Sequence, residues 1–274
     1  MPEAGTFDLQ FEWGPNGLAR LGPGAAGVVI VDVLRFTTAV SVAVDRGAIV
    51  LPYAWADDGA QTYAAQHNAV LAGAGAGPDG GGGARWSLSP VDLGRLRPGT
   101  RLVLPSPNGS ALAYGVRTHA PQAAVLAGCL RNASAVAHEV VESVSRGPVA
   151  VVGAGERWDT DAGAPGNRRG AFDLRPAVED LLGAGAILRA LRVLTGVAPD
   201  RISPEARAAM AAFDEARDDL PGWLLASTSG RELVGRRRRD DVVAAAALDV
   251  DAIAPVLVRS AFVGTPPRSL GHLR

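Results

Sequence analysis

The chain has 274 residues, with 28 acidic and 27 basic side chains and a formal net charge of −1. That length supports one large or two small domains around a sizeable core, and a near-neutral chain argues against general nucleic-acid binding. Every basic residue is an arginine and none is a lysine, which excludes a P-loop lysine, Schiff-base catalysis and pyridoxal-phosphate chemistry.

No apolar run reaches the roughly 18 residues that a membrane-spanning helix needs. Met1 to Trp13 lacks the basic and apolar regions of a secretory signal, so the expected location is cytoplasmic. The single cysteine, Cys129, rules out an internal disulfide and fits a reducing compartment; with no base beside it, it reads as a buried structural thiol.

The first element is a run of β-formers, Val28 to Val31, leading into Asp32 and then Val33, Leu34, Arg35, Phe36, Thr37 and Thr38. It reads as a buried parallel strand followed by a helix from about residue 37 to 46, which stops at Gly47. Asp32 and Arg35 then sit where the carboxyl end of a strand meets the start of a helix, the crevice in which α/β sheets bind ligands. Helix N–H groups, two hydroxyls and a guanidinium suit a phosphate, and a carboxylate beside them suits a bridging divalent cation. Read alone, the same run is equally a strand ending on a capping aspartate, with Thr37 and Thr38 as ordinary helix-start residues.

Four later runs repeat the theme. Strand-like Leu102 to Leu104 enters Pro105, Ser106, Pro107, Asn108, Gly109 and Ser110, where Asn-Gly allows converging N–H groups and Ser110 opens a helix. Val125 to Ala127 enters Cys129, Leu130, Arg131, Asn132 and Ser134. Val149 to Val152 enters Gly153, Ala154, Gly155 and Glu156, where a glycine-flanked Glu is a good ligand position and a poor packing residue. Glu179 and Asp180 lie in a helical stretch from Leu174 to Leu194.

In order along the chain, these runs resemble the 2-phosphosulfolactate phosphatase family. Its DVLRxTT run is matched at Asp32 to Thr38, its NG[ST] turn at Asn108 to Ser110 and its N-A-S/T-A run at Asn132 to Ala135. Its AGE turn is matched at Ala154 to Glu156, its ED-x-x-x-AG helix at Glu179 to Gly185, and its SGREL and DV segments at Ser229 to Leu233 and Asp241-Val242. A Ser-Pro loop falls at Ser89-Pro90. The glycine-rich segment from Gly73 to Ala84 departs from the pattern. The resemblance implies hydrolysis of 2-phosphosulfolactate to sulfolactate and phosphate.

The alternation of strand-like and helix-like runs predicts an α/β fold, three-layer α/β/α with a largely parallel sheet. An echo between Leu34-Arg35-x-x-Thr38 and Leu130-Arg131-x-x-Ser134 suggests two related halves, residues 1–120 and 121–274, packed as one unit. The expected reaction is Mg²⁺-dependent hydrolysis of a small phosphorylated hydroxy acid. Asp32, Arg35 and Glu156 are expected to be catalytic, and Asp32, Glu156 and Asp180 to hold Mg²⁺, with Glu179 in reserve. Thr37, Thr38, Asn108, Gly109 and Ser110 are expected to cradle phosphate, and Asn132 and Ser134 to orient the substrate's other acid. Arg131 and Arg157 are spare anion clamps or surface ion-pair partners. The four dispersed histidines form no zinc motif, and Arg236 to Arg239, followed by Asp240-Asp241, reads as a self-compensating turn. The expected partner is the phosphorylated acid, with no nucleic acid or membrane, and a homo-oligomer is left open. A non-catalytic phosphometabolite-binding protein, or an isomerase or lyase on a hydroxy acid, is the competing reading.

Overall fold

A computed structural model describes residues 7–54, 57, 59–73, 86–144, 146–158 and 174–265. The glycine-rich segment from Gly73 to Ala84 and the loop from Arg157 to Asp173 fall almost entirely outside them.

The chain begins β1 (Leu9–Trp13), α1 (Gly14–Leu21), β2 (Gly27–Val31), α2 (Phe36–Asp45), β3 (Ile49–Tyr53), α3 (Gly59–Gln66) and β4 (Val70–Leu71). It continues α4 (Pro90–Leu93), β5 (Arg101–Pro105), α5 (Gly109–His119), β6 (Ala124–Gly128), α6 (Ala133–Ser143), β7 (Val149–Gly153), β8 (Glu156–Arg157) and β9 (Leu174–Arg175). Five helices follow or begin here, α7 (Val178–Thr195), α8 (Pro204–Ala216), α9 (Leu220–Ala226), α10 (Thr228–Gly235) and α11 (Arg239–Ala245), before the hairpin β10 (Pro255–Val258) and β11 (Ala261–Gly264).

Nine strands form one sheet in the order β1-β7-β2-β6-β10-β11-β3-β5-β4, and β8 pairs with β9 in a separate ribbon. Alternate residues of the central strands feed two cores, which is why these strands read as unbroken apolar runs. Val28 and Ile30 pack with α1, α2 and α5 on one face. Val29 and Val31 pack with α6, α7 and α8 on the other. The result is the three-layer α/β/α arrangement expected. Strands from before and after residue 120 interleave in the sheet, so that boundary does not coincide with a break in it. No helix among the described residues is long and apolar enough to cross a membrane.

The two parallel blocks run in opposite directions. β1, β7, β2 and β6 are mutually parallel, as are β3, β5 and β4. Between them β10 is antiparallel to β6 and to β11, and β11 is antiparallel to β3. In a flat sheet the carboxyl ends of β2 and β5 would lie at opposite edges. Five strand-to-strand steps separate them. At roughly 20–25° of twist per step these accumulate to about 100–125°, which turns the end of β5 across the sheet toward the end of β2.

One helix contact explains a glycine in the ED-x-x-x-AG run. A Cβ at Gly185 would collide with the backbone carbonyl of Ala209, so only glycine lets α7 and α8 approach this closely.

Candidate active site

The turn from β2 into α2 is closed by its own side chains. The Thr37 hydroxyl donates to the Asp32 carbonyl (2.8 Å) and accepts from the Asp32 N–H (2.9 Å). The Thr38 hydroxyl donates to the Val33 carbonyl (2.7 Å), and the Phe36 N–H donates to Asp32 Oδ1 (3.1 Å). Both threonines are fully buried. Their hydroxyls satisfy groups left open at a helix start, and neither residue lines the site cavity described below, which corrects the expectation that they cradle phosphate.

The turn from β5 into α5 docks on that aspartate. The Gly109 N–H donates to Asp32 Oδ2 (2.8 Å). A Cβ at Gly109 would meet the Phe36 ring and lie 2.7 Å from Asp32 Oδ2, so the approach requires glycine. Asn108 Nδ2 donates to Glu156 Oε2 (2.8 Å), while Asn108 Oδ1 is buried with no hydrogen-bond partner. Ser110 is fully buried and donates its hydroxyl to the Leu104 carbonyl (2.9 Å). Its hydroxyl is thus engaged within its own turn, and the Gly109 N–H is engaged by Asp32.

Asp180, in the first turn of α7, ties the two remaining loops together. Its Oδ1 accepts from the Val33 N–H (2.7 Å) and its Oδ2 from the Gly155 N–H (2.9 Å). Those residues follow Asp32 and precede Glu156. Glu179 is buried beside it.

Four carboxyl groups therefore share a poorly hydrated space. Burial, opposed by backbone N–H groups and reinforced by Glu179, pushes Asp32 up to about 6. Burial and then the Asp32 charge push Glu156 up to about 7, against the Asn108 hydrogen bond. Burial, Asp32 and Glu179 hold Asp180 well above the usual carboxylate range. Such a cluster calls for a cation or for protons. Its donors are all oxygen, and the unpartnered Asn108 Oδ1 is a further neutral oxygen, a set that fits a hard divalent ion. Among the described residues, no three His, Cys, Asp or Glu side chains already stand grouped at metal-binding spacing. Asp32, Glu156 and the Asn108 carboxamide are the members that open onto the cavity.

That cavity, about 500 Å³, is lined by Asp32, Asn108 and Glu156 together with Arg35, Arg157, Arg175 and Arg236. The structure thus brings together ends of strands from both blocks. Arg35 lies at the rim and is anchored behind by Asp241 Oδ2 (2.9 Å), whose other oxygen accepts from the Ser89 hydroxyl. Both segments were marked by the sequence, Ser89 in the Ser-Pro loop and Asp241 in the DV segment.

Asn132 and Ser134 are not at this site. Asn132 is fully buried and accepts from the Cys129 N–H (2.9 Å). Ser134 bonds through its N–H and hydroxyl to Asp249 (both 2.7 Å) and lines a different cavity of about 440 Å³. Arg131 is an ion-pair residue, held by Asp251 through two nitrogens at 2.9 and 2.6 Å. Cys129 is buried, with its thiol pushed up to about 11 by burial. The residues that sequence reasoning missed are Arg175, Arg236 and Trp158, which also face the cavity with Ser229. The SGREL run was the available signal for this wall.

A family model described as 2-phosphosulpholactate phosphatase matches residues 22–260. Among curated proteins no match is found.

Proposed function

The chain belongs to the 2-phosphosulpholactate phosphatase family, which consists of phosphoric monoester hydrolases, and from that premise we propose that it hydrolyses a small phosphorylated hydroxy acid in the cavity at Asp32. The favoured substrate is 2-phosphosulfolactate, with Mg²⁺ as cofactor. The observation that carries this reading is the meeting of buried carboxylates and several guanidiniums in one cavity. A pure anion binder gains nothing from the acids, whereas phosphoryl transfer needs both signs of charge.

Asp32 and Glu156, with the Asn108 carboxamide, are the groups that would hold the ion, and Asp180 fixes the backbone on which both acids sit. Bound there, Mg²⁺ would neutralise charge on the phosphoryl oxygens. Arg35 offers its remaining N–H donors to phosphate while Asp241 holds it in place. Glu156 is oriented by the hydrogen bond that its Oε2 accepts from the Asn108 carboxamide, and a bound cation would favour its charged form.

The test is phosphate release from a panel of phosphorylated hydroxy acids, with and without Mg²⁺. Release should require the metal, and Asp32→Asn should lower turnover by at least about a hundredfold. Metal-independent turnover, or an Asp32→Asn variant near the wild-type rate, would remove the metal role. No release from any ester would remove the reading itself.

A further inference from the structure

Arg175 differs from Arg35 and Arg131 in lacking a close ion pair among the described residues. Arg131 has a two-point contact to Asp251, and Arg35 has Asp241 at 2.9 Å. The Arg175 side chain is only 12% exposed, and among the described residues its carboxylate neighbours are the half-exposed Glu232, 3.9 Å away, and Glu156, whose pKa its charge lowers. Its other contacts are the Ser229 hydroxyl at 3.3 Å and the Trp158 ring, whose centroid is 5.8 Å from the guanidinium carbon. A guanidinium has five N–H donors in a rigid fork, and one held only by such loose contacts has donors left for an anion in the cavity.

Its position is fixed relative to the acids. Glu156 and Arg175 are direct partners in the β8–β9 ribbon. Side chains directly opposite in an antiparallel pair share a face and start about 5 Å apart. Both line the cavity, as does Ser229 in the first turn of α10. The one cavity is thus lined by Asp32, Asn108 and Arg35 and also by Arg175, Ser229 and Arg236.

We propose that Arg175, with Ser229 and Arg236, forms a second anion subsite that holds the carboxylate or sulfonate of the substrate while its phosphate lies against Arg35. This rests on the phosphatase reading above and deepens it. The enzyme would then select phosphate esters that carry an acid group next to the ester carbon. It would reject esters of the same size that carry none, because the arginine wall would be left without its anion.

Three esters test this: 2-phosphosulfolactate, 2-phospholactate, and isopropyl phosphate, which has a methyl in place of the carboxylate. The wild-type chain should favour 2-phospholactate over isopropyl phosphate in kcat/KM by about tenfold or more, the worth of a charge-assisted pair. Arg175→Gln should collapse that ratio toward one, and Arg175→Lys, which keeps charge and bulk, should retain only part of it. Sulfolactate and inorganic phosphate, titrated separately by calorimetry, supply a readout that needs no turnover. Arg175→Gln should weaken sulfolactate by about tenfold or more and leave phosphate affinity within about twofold. If both Arg175 variants keep the wild-type ratio and the wild-type sulfolactate affinity, the subsite is elsewhere. If the wild-type chain hydrolyses no ester, the phosphatase reading fails, and the sulfolactate titration alone decides whether Arg175 holds the acid. Should Arg175→Gln not fold, Arg175→Lys and Arg236→Gln carry the same comparison.

Discussion

Gly109 and Asp32, 77 residues apart, are joined by a 2.8 Å hydrogen bond from a backbone N–H to a buried carboxylate. It is one of the contacts that bring the ends of two oppositely directed strand blocks to one place. The contact leaves no room for a side chain, because a Cβ at Gly109 would collide with Phe36 and crowd Asp32. Gly109→Ala should therefore displace α5 from Asp32, destabilise the fold by about 1–3 kcal/mol, and cost turnover beyond that loss of folded protein. Denaturant unfolding together with phosphate release per folded molecule checks it. Unchanged stability would mean that the approach of α5 is looser than described.

Asp180→Asn addresses the second tie. The aspartate accepts from Val33 on one oxygen and Gly155 on the other. Asparagine can accept on only one side and presents an NH₂ to the other N–H. One buried donor is left unpaired, at a cost of about 1–3 kcal/mol. Because those residues neighbour Asp32 and Glu156, kcat should fall along with stability. A variant that loses stability but keeps its full rate per folded molecule would show that Asp180 braces the fold without positioning the acids.

Much of this site was legible in the sequence because the strand-to-helix runs are local. β2 and α2 fall within a residue or two of the expected ranges, and Asp32, Arg35, Asn108 and Glu156 line one cavity. What was not legible depends on distant pairing. The opposed strand blocks follow from the hairpin β10–β11, which touches each block through a single bridge, Val256 to Leu126 and Phe262 to Val50. The hydroxyls of Thr37, Thr38 and Ser110 were read as facing a ligand, but a hydroxyl at a helix start bonds its own turn equally well. Arg175 carried no motif, and its role depends on lying opposite Glu156 and beside Ser229 from far along the chain.

The echo between Arg35 and Arg131 also acquires a physical meaning. They follow adjacent parallel strands, and each pairs with a buried aspartate from one C-terminal stretch, Asp241 and Asp251. Ser41 on α2 donates to Asp251 as well (2.7 Å), so this stretch fastens both strand ends at once.

The carboxyl cluster predicts a link between pH and metal. Asp32 sits at about 6 in place of 3.8, and Glu156 at about 7 in place of 4.5. Between about pH 4 and pH 7 the unfolded chain gives up these protons first, so it binds fewer than the folded chain and stability falls as pH rises. In chelator, the protein should melt lower at about pH 8 than at about pH 5.5, and Glu156→Gln should flatten that difference. Mg²⁺ should raise the melting temperature more at the higher pH, where the acids are charged, and should release protons on binding. Melting curves in four buffers decide it. A Glu156→Gln slope equal to wild type, or a Mg²⁺ effect larger at low pH, would detach the cluster from metal binding.

The last prediction separates what Arg35 does for the fold from what it does for phosphate. Asp241 is 2% exposed and holds Arg35 at 2.9 Å. Arg35→Ala leaves that carboxylate buried with, among the described residues, only the Ser89 hydroxyl as a side-chain donor, so it should cost stability, about 3 kcal/mol at the low end for a broken buried pair because Arg35 itself is partly exposed. Loss of activity in this variant alone is thus ambiguous. Adding Asp241→Asn removes the stranded charge and should return most of the stability, a coupling that a double-mutant cycle measures directly. It should not return activity, which should stay at least about a hundredfold down, because the guanidinium facing phosphate is still missing. Arg35→Lys should fold better than Arg35→Ala and still be impaired, since an ammonium cannot hold Asp241 and grip phosphate with a planar fork. Urea unfolding and steady-state phosphate release on the three variants are sufficient. If the double variant regains the wild-type rate, Arg35 serves only the ion pair, and the phosphate lies elsewhere in the cavity.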